Sequence, residues 1–144
     1  PDYLIGQHVL SSIPIKKSGL KVIPVGYMLI ESGRMTSVEY ISNTKPIPSN
    51  KAEIAVCTAV AGELLGMKSI YLEGGSGADR PVPAEMIAAV KKNISIPLIV
   101  GGGIRTVEAL KNAYAFGADV VVVGNVLEEN PELYTELFQA LTLL

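Results

Sequence analysis

Two stretches of the chain hold residue types and spacings that can do chemistry. In Tyr71-Leu72-Glu73-Gly74-Gly75-Ser76-Gly77-Ala78-Asp79, a carboxylate ends an apolar run, and three glycines fall within the next four positions. If that run is a strand, Glu73 projects at its C-terminal end, where partial desolvation suits a general base. A salt bridge from Glu73 to a basic neighbour is the structural alternative. Tyr71 shares Glu73's side of the strand by the period of two, so its hydroxyl can hold the same substrate or pack in a core. Ser76 can donate its hydroxyl to a ligand or simply help the loop turn.

The second stretch is Ile99-Val100-Gly101-Gly102-Gly103-Ile104-Arg105-Thr106, echoed further on by Val121-Val122-Val123-Gly124-Asn125. In both, an apolar strand ends in glycine and gives way to a helix. A turn without side chains lets a phosphate reach backbone N–H groups, and a helix N-terminus adds partial positive charge. Two such turns after consecutive strands match the phosphate site after the last two strands of a TIM barrel. A tight, close-packed turn is the alternative. A dinucleotide fingerprint fits worse, because GGGIR lacks its spacing and no acidic residue follows on a suitable strand.

Other residues point to chemistry less strongly. His8 lies in a helical stretch without an acid or serine partner and reads as a surface histidine. Cys57, in an Ala-rich helix, reads as a small buried apolar residue. Tyr27, after Gly26 in mid-strand, can line a cavity. Asp79 and Arg80 read as a solvated loop, Asp119 as a backbone cap or ion-pair partner, and Thr44 and Lys45 as a solvated loop face.

The elements that must position these residues alternate. Apolar, β-branched runs at 22–30, 69–72, 96–100 and 120–123 suit strands of a parallel sheet covered on both faces. Helical stretches lie between them at 52–65 (stopped by Gly66), 83–92 and 107–116 (capped by Thr106, ended by Gly117), with a last helix from Pro131 toward Leu144. A further helix precedes the first strand. Glu85 in the first turn and Lys91 and Lys92 in the last turn of the second stretch match the helix dipole. Strict alternation implies right-handed crossovers in an α/β fold, either an open doubly wound sheet or part of a closed (β/α)8 barrel. Residues 31–50, with prolines and polar residues, form the one long connection, of the functional or flexible kind.

Composition narrows the field further. The 144 residues make one region without an interdomain linker, long enough to bury a core. With 12 basic and 14 acidic residues, the charge is too sparse and too balanced for a nucleic-acid partner. A single cysteine and a single histidine exclude a disulfide framework and a Cys/His zinc cage. No apolar run reaches the roughly 18 residues of a membrane span, and the start, at Pro1, lacks a signal-peptide pattern. The chain reads as intracellular and soluble.

Taken in order, GYMLIESGRMTSVEYISNTKPIP, YLEGGSGADRPVPAEMI, IPLIVGGGIRT and GADVVVVGNVLEEN resemble the geranylgeranylglyceryl phosphate synthases and their bacterial relatives, and the GGSGAD form is closer to the archaeal, second-group branch. The resemblance implies a TIM-barrel prenyltransferase of phospholipid biosynthesis. Such an enzyme joins the 3-hydroxyl of sn-glycerol 1-phosphate to a polyprenyl diphosphate, here geranylgeranyl diphosphate, and releases pyrophosphate with Mg²⁺ present. It further implies that Tyr71, Leu72, Glu73, Gly74, Gly75, Ser76 and Gly77 bind glycerol phosphate, with Glu73 orienting or deprotonating the hydroxyl. Gly102 with Gly103, and Gly124 with Asn125, match the two phosphate turns. A complete barrel takes about 250 residues, so by resemblance this chain holds only the C-terminal half, strands 5 to 8, and the magnesium ligands belong to the half not included. Cytoplasmic location, homo-oligomers and peripheral membrane contact through the lipid substrate follow from the same resemblance. Another phosphate-binding barrel of the sugar-phosphate isomerase type, or an inactive half-barrel that binds phosphate or dimerises, remain the alternatives.

Overall fold

The computed structural model describes residues 2–141. Its order is α1 (Asp2–Ser18), β1 (Val25–Leu29), α2 (Ser37–Ser42), α3 (Ala52–Leu64), β2 (Ser69–Glu73), α4 (Ala84–Asn93), β3 (Leu98–Gly101), α5 (Val107–Ala115), β4 (Val120–Val122), α6 (Asn125–Glu129) and α7 (Leu133–Leu141). The four strands are all parallel and lie in chain order, β1-β2-β3-β4. This is the α/β alternation expected from the sequence.

Local chemistry fixes the boundaries. Thr106 caps α5 by accepting from the Ala109 N–H at 3.1 Å, which satisfies one of the donors that a helix start leaves unpaired. α4 carries Glu85 in its first turn and Lys91 and Lys92 in its last. The first strand is shorter than the apolar run at 22–30, because Val22 and Ile23 lie exposed before the sheet begins. The expected run of the last helix to Leu144 extends outside the described residues. The long connection at 31–50 holds a short helix, α2, and the helix expected after the Gly124 turn is a short one, α6, separate from α7.

Register sets which side chains share a face. Met28, Leu72, Val100 and Val121 are aligned partners, as are Ile70 and Leu98. Most of these pack with Ala55 and Ala59 of α3, Met86, Ile87 and Val90 of α4, and Leu110 and Ala113 of α5 in one buried core. Burying so many apolar side chains, each worth roughly 1.5–3 kcal/mol, is the main force holding the layers together. The opposite row, Tyr27, Tyr71, Ile99 and Val120, is not covered in this way. Val25, Tyr27, Val120 and Val122 are exposed, so the described residues cover one face of the sheet and leave this row open. On α1, Val9, Leu10 and Ile13 are exposed as well.

Cys57 is exposed, against the expectation of burial. α3 turns Ala55 and Ala59, one turn apart, toward the sheet, and the intervening position faces outward.

Candidate functional site

Because all four strands run parallel, their C-terminal ends lie along one edge, and the connections that leave them meet there. A cavity of about 380 Å³ opens at this edge, bordered by Glu73, Tyr27, Tyr71 and the loops after β2, β3 and β4. Of the expected binding residues, Tyr71, Glu73, Gly75, Ser76, Gly77, Gly102, Gly103, Gly124 and Asn125 all line it. Leu72 and Gly74 do not. The Leu72 side chain is fully buried in the core on the other face of the sheet, as strand alternation between two lining residues requires. Gly74 continues the sheet, its N–H donating to the Gly101 carbonyl at 2.8 Å.

Glu73 ends β2 and is only 8% exposed. Its Oε1 accepts from the Gly75 N–H at 2.6 Å, which folds the side chain back over its own loop. Tyr27 and Tyr71, register partners on β1 and β2, meet edge to face with centroids 5.1 Å apart. Burial, then the charge of Glu73 and a hydrogen bond to it, push the Tyr27 phenol up to about 12. Burial and then the hydrogen bond to Glu73 drive Tyr71 well above the ordinary phenol range. Both phenols therefore stay protonated at neutral pH, as donors beside a single carboxylate. Such a carboxylate is an oriented acceptor for the O–H of an alcohol.

The glycines do different work. Gly101 has no side chain because the Tyr71 ring occupies that space, with Cε2 3.0 Å from where a Cβ would stand. Gly102 has φ +84°, and a Cβ on it would lie 2.6 Å from the Gly75 nitrogen. Its glycine is required by the packing of two loops as well as by backbone conformation. Gly124 is the contrast: a Cβ there would meet nothing. It lines the cavity, and no side chain caps the start of α6.

The loops hold one another. The Ser76 hydroxyl donates to Asn125 Oδ1 at 2.7 Å and links the turns after β2 and β4. Arg34 Nε pairs with Asp79 Oδ1 at 3.7 Å, and the Arg80 N–H donates to the Ser32 carbonyl at 3.2 Å. Lys45 lies apart, in a second depression along the loop after β1. His8 is an exposed residue of α1. Asp119 accepts from Lys91 Nζ at 2.6 Å and from the Leu98 N–H at 2.7 Å, an anchoring role.

Sequence reasoning gave Arg105 no role, yet it lines the cavity and donates from Nη2 to the Ala78 carbonyl at 3.4 Å. Its position directly after the glycine turn was the available signal. Among the described residues, no three His, Cys, Asp or Glu side chains converge where a metal ion could sit. A magnesium ion is held by oxygen ligands, typically one or two carboxylates with substrate phosphates. The carboxylate at this cavity is Glu73, already engaged with Gly75 and the phenols, so the residues present do not form a magnesium site.

Residues 1–141 match the PcrB family. The chain is 53% identical over 136 residues to geranylgeranylglyceryl phosphate synthase of Spirosoma linguale, covering 94% of this chain and 55% of that protein. It is 46% identical over 129 residues to the enzyme of the same name from Thermococcus gammatolerans, 90% of this chain and 50% of that one. Its backbone matches wild-type GGGPS from Thermoplasma volcanium with a TM-score of 0.87 at 36% identity, covering 96% of this chain and 55% of the other. It also matches (S)-3-O-geranylgeranylglyceryl phosphate synthase from Thermoplasma acidophilum, crystallised in complex with sn-glycerol-1-phosphate. There the TM-score is 0.88 at 31% identity, over 94% and 56% of the two chains. The chain thus spans about half the length of the relatives it matches. No helix among the described residues is long and apolar enough to cross a membrane. Sequence and backbone agree over nearly all of the described residues, and the chain belongs to the PcrB family.

Proposed function

We propose that this chain forms the glycerol-phosphate side of a prenyltransferase. The whole enzyme joins the 3-hydroxyl of sn-glycerol 1-phosphate to geranylgeranyl diphosphate, the first ether bond of an archaeal-type lipid. The observation that carries the reading is the convergence on one cavity of a nearly buried carboxylate, two protonated phenols and the glycine turns after β3 and β4. A relative of the same fold, crystallised with sn-glycerol-1-phosphate, supports the choice of ligand.

In the proposed reaction the phosphate lies against the turns at Gly102, Gly103, Gly124 and Asn125, where backbone N–H groups favour an anion. The tyrosine hydroxyls and Glu73 hold the glycerol end. The glycerol oxygen attacks the first carbon of the prenyl chain, a new C–O bond forms, and the bond to the diphosphate breaks. Pyrophosphate departs with the electron pair, and the hydroxyl proton passes to Glu73. Magnesium, were it bound in the whole enzyme, would neutralise charge on the diphosphate from ligands outside this cavity. In the same reading the strands are one side of a (β/α)8 barrel, whose remaining strands would cover the open row of Tyr27 and Val120. The enzyme works in the cytoplasm as a homo-oligomer and meets the membrane peripherally through its lipid substrate.

Incorporation of labelled glycerol 1-phosphate by the full-length protein tests the reading. Glu73→Gln is expected to lower kcat by about 10²- to 10⁴-fold, the range for a general base, and turnover retained in that variant would remove Glu73 from the role. Turnover of a sugar phosphate in place of glycerol phosphate would favour an isomerase-type barrel.

A further inference from the structure

Among the described residues lining the cavity, two are charged: Glu73, nearly buried at the end of β2, and Arg105, exposed beyond the turn after β3. A phosphate monoester brought close to Glu73 meets like charge, which backbone dipoles offset only in part. Arg105 stands on the side that would relieve this. It follows Gly103 and Ile104, belongs to the same turn as the expected phosphate amides, and precedes the Thr106 cap of α5. Its Nη2 is tethered to the Ala78 carbonyl on the opposite loop at 3.4 Å. The tether holds a planar, multiply donating group at the cavity mouth and leaves further N–H donors of the fork for a ligand.

We propose that Arg105 is a substrate-binding and specificity residue, which takes the doubly charged phosphate of a short polyol monophosphate and so fixes which end of that molecule meets Glu73. The inference rests on the glycerol-phosphate reading of the cavity and adds the charge that orients the substrate within it. Since Arg105 is exposed, salt screens its attraction, and the gain is that of a partly solvated contact.

The test uses the full-length protein with glycerol 1-phosphate varied at saturating prenyl diphosphate. Arg105→Gln is expected to raise KM for glycerol phosphate about tenfold, with kcat within about threefold, because a charge-assisted bond to the ground-state phosphate is lost. Arg105→Lys is expected to recover part of that loss through its charge. An unchanged KM in Arg105→Gln overturns the proposal. A fall confined to kcat without rescue by lysine also overturns it, because that pattern belongs to a residue that only holds the Ala78 loop. Calorimetric titration with inorganic phosphate separates the two readings. Phosphate affinity that depends on Arg105, in a protein that does not turn over glycerol phosphate, keeps the anion role and removes the proposed substrate. Affinity indifferent to Arg105 removes the anion role itself.

Discussion

At Glu73 the Gly75 N–H and the phenols of Tyr27 and Tyr71 reach one carboxylate from two strands and a loop. The phenols depend on that carboxylate in turn. In Glu73→Gln the charge disappears while burial remains, so Tyr27 is expected to titrate below about 12 yet above an ordinary tyrosine, as ultraviolet difference titration reads directly. The sign for stability follows. Tyr27 is raised in the fold, so its contribution is complete below the ordinary phenol value near 10 and is lost as pH rises through about 12. Alkaline unfolding monitored by circular dichroism is expected to show this loss, and less of it in Tyr27→Phe, which has no phenol to ionise.

Among the elements, the glycine turns separate scaffold from site. Gly102→Ala places a methyl against the Gly75 nitrogen and the Gly74 Cα at φ +84°, and denaturant unfolding is expected to show a loss of at least about 1–3 kcal/mol. Gly124→Ala meets no protein atom. It should leave the melting temperature nearly unchanged while weakening phosphate binding in calorimetry, since the methyl enters the cavity. The sequence does not distinguish these two glycines, because each simply ends an apolar strand. Strands and the longer helices were legible from apolar runs, caps and Gly or Pro stops, since burial against the sheet imposes those patterns. The short helix α2 was not, being only 6 residues long with its Tyr40 and Ile41 exposed. Its trace was local: Thr36 and Glu39 have the spacing of a capping box, and the Thr36 side chain does accept from the Glu39 N–H. The Leu72 side chain turns into the core although the motif is continuous in sequence, because a strand sends alternate side chains to opposite faces. Arg105 carries no such burial or capping signal, because what sets its position is a tether across the cavity to Ala78, far from it in sequence.

For the molecule as a whole, one tie between the helix layer and the sheet at the end away from the site is Asp119. It joins Lys91 of α4 to the Leu98 N–H at the start of β3. Burial opposes ionisation of its carboxyl, but Lys91 and the Leu98 N–H outweigh burial and hold it below the ordinary carboxylate value. A depressed carboxylate stabilises the fold above its unfolded value near 3.9 and loses that contribution as pH falls through the lower folded value. Thermal unfolding across the acid range should show Asp119→Asn less stable than wild type at neutral pH, with the gap closing in acid. The site end depends on a different kind of tie. The Tyr71 ring fills the place where a side chain at position 101 would be, so the two positions are one packing unit shared by neighbouring strands. A change at either one alters the worth of a change at the other, and their substitutions will not add. The phenol that faces the cavity is therefore secured by a residue that does not line it, and a loss of activity from Gly101 variants would report a displaced tyrosine.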